Sequence, residues 1–337
     1  MSSIAEKLQR LATYKSDIKD AIIGKGVECG EDMSKYAEAI GKISGGGEPL
    51  PIPTDIPAED DLTLIKLDAG EGSVTIINCA MDGKKVMQYS KNGEGWRTVI
   101  YNVPIVVVQG DRIKLKSESE DVTSIFNYRQ YYQIATDGLF ACGGCLDSLY
   151  ARPSSFSKSY QCAGLFCGAN IVNTPHVLCT SITGSNAMRE LYKNCNRLEQ
   201  AADWRATTLG SYCLYEAYMG CTSLRRAPKL PAITLAANCY TAMFVGCTSL
   251  IEAPELPAEQ LADSSYSYMF SGCSSLREIK AMCRITHTGA AITTSLATRW
   301  LQGTNLERFF KNPEWAGPTQ RTTNTIPASV TIVNWIE

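Results

Sequence analysis

Four cysteines have the most metal-like spacing in the chain: Cys142-x2-Cys145, then Cys162-x4-Cys167. Four thiolates can hold Zn²⁺ tetrahedrally, and such a site contributes on the order of 10–16 kcal/mol to folding. Two features weigh against it. The second pair is spaced x4 rather than x2, and GGCLDSL at 143–149, which holds Cys145, reads as a first imperfect copy of a repeat described below. The reading adopted is therefore no metal and no cofactor, with the thiols buried as small hydrophobes. The Cys142/Cys145/Cys162/Cys167 zinc site is the competing reading. A redox role for CGGC at 142–145 lacks the βαβ pattern that normally frames such a motif.

Catalytic constellations are sparse. The two histidines, His176 and His287, stand in unrelated contexts, and no HExxH, G-x-S-x-G, P-loop or dinucleotide fingerprint occurs. Without a histidine or paired carboxylates at a telling spacing, acid–base chemistry has no named residue to carry it. A non-enzymatic protein is expected.

The remaining polar chemistry lies on a cadence. Cys195, Cys221, Cys247 and Cys273 recur every 26 residues, and each is followed three positions later by Leu198, Leu224, Leu250 or Leu276. A fixed period in this range implies stacked units, because one unit cannot bury its apolar side alone. With each leucine inward, the next two positions form columns down the stack. One column is Glu199, Arg225, Ile251, Arg277, and the other is Gln200, Arg226, Glu252, Glu278. At a strand spacing of about 4.8 Å, Glu199 would stand over Arg225 and Arg226 over Glu252. Such exposed pairs contribute about 0–1 kcal/mol each and help to set register. The columns read either as a solvated charged ladder or as a recognition face formed by Glu199, Arg225, Arg226, Glu252, Arg277 and Glu278.

The phrase MFVGCTSLIEAPELPAEQLA at 243–262 and its copies resemble the BspA-like leucine-rich repeat of Bacteroides-type surface proteins and their phages. Two copies match closely and two loosely. GLFCGANIV at 164–172 resembles a fifth copy, with Ala169 in the cysteine position. The resemblance implies a leucine-rich-repeat solenoid over 188–283, with an N-terminal cap and degenerate repeats over 118–187 and a C-terminal cap over 284–337. RFFKNPEW and TIPASVTIVNW resemble the usual closing segments.

Upstream, 62–117 holds six short alternating runs separated by turn signals, which predicts a small β-sandwich. Trp96, in QYSKNGEGWRTV, is expected to be a core or hairpin residue. Residues 45–61 are glycine- and proline-rich and read as a linker. Residues 1–44 read as a helical segment with Ile4, Leu8, Leu11, Ile18 and Ile22 on one apolar face. IAEKLQRL and the residues after it resemble the small helical module near the start of many phage tail and fibre proteins. The fold class expected is thus multidomain α+β.

Composition narrows the classes further. A net charge of -2 gives no electrostatic reason to expect nucleic acid, and no apolar run is long enough to span a membrane. The opening residues lack the apolar region of a signal peptide. Together with the resemblances, this implies a virion structural and adhesion protein of a tail, baseplate or head fibre. Its N-terminal helices would contact other virion proteins, its repeat face would meet a host surface glycan or protein, and it would be a homo-oligomer, a trimer ahead of a dimer. A bacterial cell-surface or secreted adhesin is the alternative.

Overall fold

The computed structural model describes residues 55–78, 86–118, 132–258, 261–281, 299–311 and 329–334. All of them belong to the second of the two units into which the chain divides, Pro53–Glu337. The apolar face expected at Ile4, Leu8, Leu11, Ile18 and Ile22 lies outside the described residues, as does His287.

The first part is antiparallel. Strands β1 (Leu62–Lys66), β2 (Gly72–Asn78), β3 (Met87–Lys91), β4 (Arg97–Thr98), β5 (Ile105–Val107) and β6 (Arg112–Ser117) fall on the six alternating runs. Two more, β7 (Tyr132–Asp137) and β8 (Phe140–Gly143), come from residues assigned by sequence to the following cap. They supply second partners to strands that would otherwise be edges. The sheets run β4-β3-β6-β1-β8 and β5-β2-β7. Alternation in β2 and β6 sends Val74, Ile76, Ile113 and Leu115 into the core. The β3–β4 turn uses Asn92 and Gly93, both at positive φ (51° and 79°), the geometry favoured by a two-residue hairpin. Trp96 is 39% exposed rather than buried, with Lys116 Nζ 4.3 Å above its ring.

From β8 the chain passes through a short 3₁₀ helix, Leu146–Tyr150, into the repeats. Phe140 bridges to Ile171 and Cys145 to His176, both in parallel, so one hydrophobic core runs from the sandwich into the first repeat. The buried Asp147 carboxylate accepts hydrogen bonds from the Leu178 and Cys179 amides at 2.9 and 3.0 Å, which fastens this junction.

Each repeat is a ribbon of turns. Positive φ recurs every fourth residue: Asn186, Glu190 and Asn194, then Tyr212, Glu216 and Gly220, then Asn238, Ala242 and Gly246, then Ser264, Tyr268 and Gly272. Between these points backbone amides alternate in purpose. In 239–247, the amides of Cys239, Thr241, Met243, Val245 and Cys247 donate three residues back within the ribbon. Those of Tyr240, Ala242, Phe244 and Gly246 donate to carbonyls of the next ribbon, 25 residues ahead. The scheme pairs buried backbone polar groups without a helix or a continuous strand.

The side chains follow the same register. Leu198, Leu224, Leu250 and Leu276 are fully buried, as are Cys195, Cys221, Cys247 and Cys273. Phe166, Tyr192, Tyr218, Phe244 and Phe270 stack with ring centroids 5.3–5.7 Å apart. Each such contact adds roughly 0.5–1.5 kcal/mol beyond simple burial.

The α+β leucine-rich-repeat solenoid is thereby corrected. Among the described residues there is no α-helix, and between Tyr150 and Glu278 the chain has only the two-residue strands β9 (Ser181–Ile182) and β10 (Thr208–Leu209) and isolated bridges in place of a strand in every unit. The reason is conformational: a left-handed residue at every fourth position interrupts both helix and strand before either can propagate.

The cadence also persists further than expected. Arg299 and Gly303 have positive φ, Trp300 stacks on Tyr266 at 6.1 Å, and the Phe270 amide donates to the Trp300 carbonyl. A parallel sheet of β11 (Glu278–Ala281), β12 (Arg308–Lys311) and β13 (Thr331–Asn334) ends the described chain.

Candidate binding groove on the repeat face

The column through Gln200, Arg226 and Glu252 is realised as parallel bridges Gln200↔Arg226 and Arg226↔Glu252. Two residues beyond Arg226 and Glu252 begin the Pro-Lys-Leu-Pro and Pro-Glu-Leu-Pro segments at 228–231 and 254–257, whose prolines cannot donate to a neighbouring rung. Along these segments lies an open groove of about 720 Å³ lined from three rungs. Ala227, Leu230, Pro231, Ala253, Pro254 and Pro257 supply its apolar lining. Buried Leu230 and Leu256 anchor these segments to the core.

Charges rim this lining. Of the predicted face, Arg226, Glu252, Arg277 and Glu278 line the groove, and Glu199 and Arg225 do not. The expected Arg226–Glu252 pair is present at 3.5 Å. The expected Glu199–Arg225 pair does not form; those residues meet through the backbone, the Arg225 amide donating to the Glu199 carbonyl at 3.4 Å. Three lining charges went unread in the sequence: Lys229, Glu255 and Lys280. For Lys229 and Glu255 the signal was the Lys/Glu exchange in APKLPA and APELPA, 26 residues apart.

The ion pairs here are long. Lys280–Glu255 and Arg277–Glu307 are 3.4 Å and Lys229–Asp203 is 3.7 Å, all exposed. Arg308 also pairs with Glu278. Elsewhere the repeats hold a tighter, half-buried set: Lys193–Glu216 at 2.6 Å and Arg189–Glu190 at 3.0 Å, with the Arg189 guanidinium 4.4 Å over the Tyr215 ring. Long exposed pairs contribute little to stability.

The four metal-like cysteines go to separate tasks. Cys142 is buried on β8, and Cys145 accepts a hydrogen bond from Arg152 at 3.1 Å. Cys162 is buried in the first ribbon and Cys167 is half-buried. Among the described residues no three His, Cys, Asp or Glu side chains are grouped to hold a metal ion. Burial pushes the Cys142, Cys145 and Cys167 thiols above the usual range, which disfavours the thiolate needed for ligation or attack. His176 is half-buried at the junction with the sandwich. No helix among the described residues is long and apolar enough to cross a membrane.

No protein-family model, curated protein or solved structure matches this chain.

Proposed function

We propose that this chain is a non-catalytic structural and adhesion component of a phage virion, in the tail, the baseplate or a head fibre. It presents the grooved face of its stacked ribbons to a host surface glycan or protein. The observation that carries this reading is the groove itself: an apolar lining rimmed by charges, on a backbone hydrogen-bonded from rung to rung. A surface so cross-linked is ordered before it meets a partner, which lowers the entropic cost of binding. The resemblance of residues 1–44 to tail and fibre modules supports a docking role for that segment, with homo-oligomerisation, a trimer ahead of a dimer.

Protein mass spectrometry of purified particles tests the assignment. The chain should be present at a fixed copy number per particle. Its absence from particles and recovery in a bacterial envelope or secreted fraction would overturn the virion reading in favour of a bacterial adhesin.

A further inference from the structure

We infer that the groove takes a neutral polyhydroxylated chain, a glycan without carboxylate, sulfate or phosphate groups. The inference rests on the adhesion reading and narrows its ligand class.

The first argument is charge. Going down the stack, the rims change sign from rung to rung: Arg226 and Lys229 in one, Glu252 and Glu255 in the next, Arg277, Glu278 and Lys280 in the third. Cations exceed carboxylates by only one. A polyanion crossing the rungs would meet Glu252 and Glu255 midway, and a polycation would meet Arg226 and Lys229 first. Neither finds a complementary field. A hydroxyl group suits the pattern, because it donates to a carboxylate and accepts from a guanidinium or ammonium at once.

The second argument is the state of the rim before binding. Arg226–Glu252 and Lys280–Glu255, at 3.5 and 3.4 Å, bridge adjacent rungs across the groove and neutralise each other. A hydroxyl can join such a pair without breaking it, whereas a charged ligand must compete with a member of it.

The third argument is the lining. Proline and alanine side chains present aliphatic hydrogens between the charged rims. A sugar ring offers the matching arrangement, an apolar C–H face edged by hydroxyls. The volume of about 720 Å³ falls within the range of small-molecule clefts and suits a few sugar units.

The test uses the full-length protein. It is offered immobilised neutral oligosaccharides of hexoses and N-acetylhexosamines, matched oligosaccharides carrying uronic acids or sulfates, and unglycosylated peptides. At least one neutral oligosaccharide should be retained at low and at high salt alike, since no ion pair forms with the ligand. Glu252→Gln and Lys280→Gln, both on exposed side chains, should each weaken that retention roughly tenfold or more, with melting unchanged. Arg97→Gln, in the distant β3–β4 hairpin, should leave it intact.

Retention of acidic oligosaccharides only, of peptides only or of nothing overturns the inference, as does neutral binding that ignores both groove variants. The particle experiment stays separate: a chain found in virions that captures no neutral glycan overturns this inference alone. A chain absent from virions that still captures one overturns only the virion assignment.

Discussion

The thiol of Cys247 donates a hydrogen bond to the backbone oxygen of Tyr218, 3.2 Å away and 29 residues earlier. Cys195, Cys221 and Cys273 make the same bond to Phe166, Tyr192 and Phe244 at 3.0–3.1 Å. The repeat position thus calls for a small apolar side chain with one donor. The Tyr218 oxygen also accepts the Cys221 amide, so Cys247→Ala leaves it satisfied. That variant should lose roughly 1 kcal/mol, from a weak bond and a small void, in urea unfolding with an unchanged m-value. A loss several times larger would assign the thiol a role beyond this bond.

Two rings of one ladder should respond oppositely to loss of a hydroxyl. Tyr218 Oη accepts a hydrogen bond from Trp204 Nε1 at 3.1 Å, whereas Tyr192 Oη is buried with no hydrogen-bond partner among the described residues. Tyr218→Phe strands the buried indole N–H and should cost about 1–3 kcal/mol. Tyr192→Phe removes an unmet polar group and should be neutral or stabilising by up to about 1 kcal/mol. Thermal melts of the two variants, compared at equal concentration, decide it.

Glycine replacements separate backbone conformation from space. Gly246 has φ +71° and nothing near the position a Cβ would take, so Gly246→Ala should cost only the left-handed penalty of about 1–2 kcal/mol. Gly144 has φ +69°, and its Cβ would lie 2.2 Å from the Asp61 carbonyl, at the start of β1. Gly144→Ala should therefore cost well beyond that penalty. Similar midpoints for the two variants in denaturant titration would contradict this.

Acid should loosen the sandwich through Asp111. Its carboxylate accepts hydrogen bonds from Lys91 Nζ at 2.8 Å, Asn92 Nδ2 at 2.7 Å and the Val108 amide at 2.9 Å. Chiefly through Lys91, then Asn92, these hold its pKa down from 3.8 to about 2. A pKa depressed on folding stabilises fully above the unfolded value and is lost as pH falls through the folded one. Stability should therefore drop between about pH 4 and pH 2, and Asp111→Asn should flatten that stretch while lowering stability at neutral pH. Unfolding free energies measured across this range test both signs.

Much of the stack was legible because burial leaves a simple signature. The 26-residue spacing of Cys195, Cys221, Cys247 and Cys273, with a leucine three positions on, identified inward side chains that are all fully buried. The Arg226–Glu252 pair followed from the same register. The ribbon itself was hidden. Glu190, Glu216, Ala242 and Tyr268 all take positive φ, and none of those residue types advertises it; only the glycines at 220, 246 and 272 and the asparagines at 186, 194 and 238 hinted at the turn. Lys229, Glu255 and Lys280 were missed because they sit two or three residues beyond the columns that the leucine register defines. Strands β7 and β8 were hidden for another reason: they join the sandwich across a gap in sequence that local alternation does not bridge.

Each ribbon offers its successor the same row of amides that it met in its predecessor with carbonyls, at the same intervals. Nothing in that contact counts how many copies there are. Tandem gene duplication or deletion of one 26-residue unit would therefore leave the remaining ribbons with contacts of the same kind. Length, in such a molecule, is a trait that selection can adjust in whole steps.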